Sequence, residues 1–210
     1  MIDYYVMLIV SALLFPLIQC LWVKLIKDFK LKNITYGIIS GVITIGYVFY
    51  SLFLFFPSPE SISIFLIFMI LTNLAITDYK YYEISGKSYY FLYPPIAVYV
   101  FSNTMYKWYE CLISCAIIFV LLFIIDKIVG VEKIGGADIK LMLLTSLLFS
   151  YSEIMILTIV MFSLDFVLYG IMSIINLISG KKTVAIPMII AIWLSVVVLF
   201  FMCRLGFYKI

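Results

Sequence analysis

Histidine is absent from the 210 residues of this chain. That absence excludes His-based triads and His-ligated metal centres. Charge is scarce too: 12% of residues are charged, against 66% hydrophobic. A soluble domain of this size needs a polar shell, and there is too little polar sequence to make one. Cysteine occurs only at Cys20, Cys111, Cys115 and Cys203, with no CxxC pair. All four lie in or at the edges of apolar runs and read as packing residues, not as metal or redox groups. No repeat, low-complexity tract or long polar stretch marks a second domain, so residues 1–210 read as one membrane domain.

What the chain does have is apolar runs, with a mean hydropathy of +1.23. A helix needs about 20 apolar residues to cross the hydrocarbon core. Candidate spans cover residues 4–23, 34–56, 61–77, 89–103, 111–128, 139–149, 154–178 and 184–203. The expected fold is therefore all-α and polytopic, with about eight transmembrane helices. The first run lacks a basic leader and a small-residue cleavage site, and is expected to be a retained span. Pro94-Pro95 should kink the fourth span and leave carbonyls needing partners. The sixth is the shortest, about 16 Å at 1.5 Å per residue. Either it is a short helix with a recessed start, or the Gly-rich turn before it lies inside the membrane boundary.

Lysine placement orients the spans. With the N-terminus outside, eleven of the 14 basic residues fall inside, and only Lys107, Arg204 and Lys209 fall outside. That is the asymmetry of the positive-inside rule. In this layout Asp78 and Asp138, sixty positions apart, both stand at the cytoplasmic face.

Carboxylates near a membrane interior are expensive and usually mark function. Two that face each other could share one proton, one activating water as a base and the other polarising a peptide carbonyl. This chemistry needs no histidine, cysteine, serine, metal or cofactor. Gly135, Gly136 and Ala137 put little side chain beside Asp138, so a substrate backbone could come close. Asp138 stands where a helix begins and Asp78 where one ends, so the helix dipoles favour Asp78 as the holder of the shared proton. The plainer alternatives are a helix N-cap at Asp138 and interfacial decoration at Asp78. Asp165, mid-span, is expected to sit in a structural hydrogen-bond network with Asn73 or a tyrosine. Glu83 reads as a solvated loop residue.

Ile134-Gly135-Gly136-Ala137-Asp138-Ile139-Lys140-Leu141 closely resembles the GxGD motif of type IV prepilin peptidases. Asp78-Tyr79-Lys80 followed by Ile84-Ser85 resembles that family's first-aspartate motif. Ile186-Pro187 after a basic loop resembles its Ile-Pro near the last span. Order and spacing agree across roughly residues 72–190. Ala137 stands where the family has the second Gly, Ser85 where it has Pro, and Met188-Ile189-Ile190 where many members have Phe-Gly-Pro.

The resemblance implies an integral-membrane aspartyl endopeptidase of a prokaryotic cytoplasmic membrane. It would remove basic leaders from prepilin-like or preflagellin-like precursors at the cytoplasmic face, with Asp78 and Asp138 catalytic. Gly135, Gly136, Ala137, Lys140 and Pro187 would lie along the substrate. Partners are then the precursor and membrane lipid, with no nucleic acid. The loop after the first span is short, and the cysteine-rich cytoplasmic domain of longer, methylating members is not seen. Peptidase activity is expected, without a basis for methylation. Two competing readings remain: an ion-coupled transporter or channel using Asp78, Asp138 and Asp165, and a non-catalytic assembly factor.

Overall fold

Backbone N–H and C=O groups in lipid must pair within their own segment, which makes long apolar runs helical. The computed structural model describes residues 2–26, 33–53, 57–81, 86–103, 105–129, 136–179 and 188–204. They form eight α-helices: α1 (Ile2–Leu25), α2 (Asn33–Phe53), α3 (Pro59–Tyr81), α4 (Tyr89–Ser102), α5 (Trp108–Val129), α6 (Gly136–Ser146), α7 (Tyr151–Ser179) and α8 (Met188–Arg204). A single 3-10 turn, Gly86–Ser88, leads into α4. The order follows the eight expected spans. Five helices (α1, α2, α3, α5 and α7) contain stretches long and apolar enough to cross a membrane, and the protein is an all-α polytopic membrane protein. α4 runs unbroken through Pro94 and Pro95.

The chain divides into two compact units. The first comprises Met1–Thr77 and Glu83–Trp108. Between lipid-bathed helices the hydrophobic effect contributes little, so packing and hydrogen bonds hold them. Phe15 of α1 meets Tyr47 of α2 with ring centroids 5.1 Å apart, and Tyr47 meets Phe65 of α3 edge-on at 5.7 Å. Such ring pairs contribute about 0.5–1.5 kcal/mol beyond area burial. A Cβ on Gly46 would lie 3.4 Å from the Phe65 ring, so this glycine brings the backbone of α2 against that ring. The Tyr47 hydroxyl shares a 2.7 Å hydrogen bond with Ser11. Gln19 and Asn73 exchange two amide hydrogen bonds, at 3.1 and 2.9 Å, joining α1 to α3. Ile38, Val42, Ile45 and Phe49 recur at helical spacing along α2 and remain exposed, as lipid-facing residues should.

The second unit comprises Asp78–Tyr82, the end of α3, with Tyr109–Ile210. Here α8 packs against α6 and α7. Ser114 of α5 donates to the Phe149 carbonyl at 2.8 Å, and Cys115 Sγ lies 3.6 Å from the Leu143 carbonyl. Ile118 of α5 lines a small cavity with Met142 and Thr145 of α6. These pairings run in opposite directions along the two helices, so α5 and α6 are antiparallel. α7 opens with a side-chain cap: the Ser150 N–H donates to Glu153 Oε2 at 3.2 Å, and the Glu153 N–H returns to the Ser150 carbonyl at 3.1 Å.

Candidate active site

Asp78 occupies the last turn of α3 and Asp138 the first turn of α6, both half-buried. α6 begins at Gly136, so Asp138 lies inside the first helical turn and not at the N-cap that its sequence suggested. A Cβ on Gly136 would meet nothing within 4 Å.

A cavity of about 10 Å³ fixes the register around Asp138. It is lined by Ile118 of α5, Met142 and Thr145 of α6, Leu157, Thr158 and Met161 of α7, and Ile192, Ser195 and Val196 of α8. α6 and α7 are antiparallel, because the chain continues past Ser146 to the level of Ser114 before α7 turns back. α7 and α8 must be antiparallel too. A parallel pair sharing this cavity would separate Ser179 from Met188 by about 40 Å at 1.5 Å per residue. Nine extended residue steps reach only about 32 Å. α6 and α8 therefore run in the same direction, and Asp138, one turn before Met142, comes level with the first turn of α8.

Asp78 is turned toward that same turn. The backbone N–H of Ile189 approaches its carboxylate. Ile189 is the second residue of α8, where N–H groups have no intrahelical acceptor, so the helix start presents a donor and the positive end of its dipole to Asp78. The other carboxylate oxygen, Asp78 Oδ2, is buried and takes no hydrogen bond from the described residues. The sequence showed the Ile-Pro before the last span but gave no sign that the helix start behind it would meet Asp78.

The register also sets depth. Asp138 lies about 10 Å along α5 from the end of that helix at Val129, so its carboxylate is recessed relative to that end. α6 is short, 11 residues from Gly136 to Ser146. The backbone of Asp165, one turn beyond Met161, comes level with Asp138; its side chain is outside the described residues, as are Gly135 and Pro187. Of the partners expected for Asp165, Asn73 or a tyrosine, Asn73 pairs its amide with Gln19. Lys140 of α6 is exposed, as is Lys80, whose ammonium lies 4.9 Å from the Tyr81 ring centroid. Ala137 is half-buried and Gly136 exposed beside Asp138. Among the described residues no cluster of Cys, Asp or Glu is arranged to hold a metal.

A family model described as the type IV leader peptidase family matches residues 63–201, a stretch that contains Asp78, the Gly-Gly-Ala-Asp run and the start of α8. No curated protein and no solved structure matches the chain.

Proposed function

The chain belongs to the type IV leader peptidase family, and from that premise we propose that it is an aspartyl endopeptidase cleaving the basic leader from prepilin-like or preflagellin-like precursors. Asp78 and Asp138 are its catalytic pair. One carboxylate takes a proton from water as the oxygen attacks the scissile carbonyl. The other, protonated, donates to the carbonyl oxygen, and the amine leaves with a proton. The observation that carries this reading is the shared level of the two acids at the first turn of α8, with Asp78 Oδ2 unclaimed by any donor among the described residues. A buried carboxylate oxygen without a partner is costly for a scaffold residue and useful for one that binds water. Gly136 and Ala137 leave room for an extended substrate backbone beside Asp138, with Gly135, Lys140 and Pro187 further along it. No cofactor enters the reaction.

The site faces the cytoplasm in this reading, because the basic residues favour that orientation. Labels at Lys30, Lys87, Lys133 and Lys181 should all report the cytoplasmic side, and one at Ser58 the other. Lys133 and Lys181 on opposite faces would remove α6 as a crossing element and overturn this orientation argument.

The chemistry is tested by coexpression with a prepilin-like substrate, reading cleavage as a mobility shift and checking membrane levels. Asp78→Asn and Asp138→Asn should each abolish cleavage. The double variant should be no worse than either single one, because residues acting as a unit are not additive. Normal cleavage by either single variant at normal abundance would overturn the aspartyl-peptidase reading and favour a transporter.

A further inference from the structure

The first unit contains a groove that the proposed peptidase chemistry does not use. It lies among α1, α3 and α4, has a volume of about 490 Å³, and is lined by residues including Leu14, Ile18, Ile62, Leu66, Pro94 and Val98. Of its two hydroxyl side chains, Ser63 donates to the Pro59 carbonyl of its own helix at 2.6 Å and offers little to a polar ligand, and Tyr90 stands in the first turn of α4. Along α3 the lining runs from Pro59 to Ile70, about 16 Å at 1.5 Å per residue, roughly half the ~30 Å hydrocarbon thickness. That volume over that length, with a water radius added on each side, gives a groove roughly 9 Å across, narrower than a helix of about 10–12 Å diameter with its side chains. One hydrocarbon chain fits.

The groove also has a charged end. Trp22 of α1 and Phe91 of α4 stack with ring centroids 5.2 Å apart. With that contact fixed, only an antiparallel pair lets Leu14 and Val98 line the same groove. Lys24 stands three residues beyond Leu21, the last lining residue of α1. Lys87 stands three residues before Tyr90, the first lining residue of α4. Both lysines are exposed, and the antiparallel register brings them within about one helical turn at the same end. Residues three apart share a helix face, so Lys24 continues the groove-lining stripe of α1. Glu60, the acid of α3 near Pro59, stands at the other end of that helix.

We propose that this groove is a binding site for an anionic phospholipid, one acyl chain lying along α1, α3 and α4 and the phosphate headgroup between Lys24 and Lys87. The charge pattern selects the occupant. An apolar channel alone would take any tail, but two lysines at its mouth favour a headgroup with net negative charge. The positive-inside orientation makes it a lipid of the cytoplasmic leaflet.

The test is native mass spectrometry of the delipidated full chain titrated with phosphatidylglycerol or phosphatidylcholine. Wild-type protein should retain phosphatidylglycerol in preference. Lys24→Gln and Lys87→Gln should each lower that affinity by roughly fivefold, and leave phosphatidylcholine unchanged. Ile62→Trp, which fills the channel, should lower retention of both lipids. Val98→Trp, at a half-exposed rim position that tolerates bulk, provides a second blocking variant, and Val42→Trp on the lipid-facing stripe of α2 should have no effect. Equal retention of the two lipids by wild type, or wild-type retention by both groove-filled variants, would overturn the proposal. Neither outcome depends on peptidase activity.

Discussion

Asn73 and Asp78 lie five residues apart on one helix and live in different circumstances. Asn73 belongs to the first unit, is fully buried, and uses both ends of its amide on Gln19. Asp78 belongs to the second, is half-buried, and keeps one carboxylate oxygen without a partner among the described residues. A membrane interior penalises both kinds of group. The amide meets that penalty by pairing, which makes it a joint between α1 and α3. The carboxylate leaves part of it unmet, as expected of a group that must accept a proton or hold water. Within this pair the satisfied amide fastens two helices, and the incompletely satisfied carboxylate stands at the proposed site.

The contrast is broken most severely by moving the carboxylates without removing them. Asp78→Glu and Asp138→Glu retain the charge but shift it by about 1 Å, and misplacement on that scale can cost on the order of 100-fold in rate. Both variants should accumulate in the membrane at wild-type levels and cleave substrate poorly. Normal rates would mean that the position of the charge matters little, which is a property of interfacial decoration.

Gly136 offers a sharper and smaller test. The space that a Cβ would take is empty within the protein, so Gly136→Ala should leave stability unchanged and Gly136→Leu should cost it little. If the substrate backbone passes over α6 at this point, Gly136→Leu should raise KM by roughly tenfold, as for an interaction lost in ground and transition states alike. A fall in thermal stability with unchanged KM would instead show that the glycine serves folding.

The fold was readable because its signal is long and repeated. Eight apolar runs became eight helices in the same order, and the lysine bias supplied an orientation. The two aspartates were readable through their neighbours: small residues before Asp138, a polar segment after Asp78, and an ordered set of motifs. Four features were not. The approach of the Ile189 N–H to Asp78 depends on tertiary packing that brings the start of one helix to the end of another, and no local pattern encodes it. The choice of Gln19 as partner for Asn73 is likewise a matter of which buried faces meet. The start of α6 at Gly136, two residues before Asp138, is not set by the Gly-Gly-Ala run, because glycine favours turn over helix. The groove on α1, α3 and α4 combines side chains from three segments, each an ordinary apolar run when read alone.

The smallest expected effect concerns the fastening pair. Asn73→Leu leaves Gln19 buried with donors and an acceptor unmatched, and should lower stability by roughly 1–2 kcal/mol. Gln19→Leu should do the same to Asn73. Activity per folded molecule should be unchanged in both, the reverse of Asp78→Asn, which should keep stability and lose activity. The double variant Gln19→Leu/Asn73→Leu removes both polar groups together and leaves no orphan. Replacing both partners by apolar groups of similar shape can be nearly neutral, so the double variant should unfold closer to wild type than either single variant. Thermal unfolding in detergent, with cleavage rates normalised to folded protein, measures both quantities. If the double variant loses the sum of the two single losses, the amides contribute through separate contacts and not through each other, and Asn73 ceases to be the satisfied counterpart of Asp78.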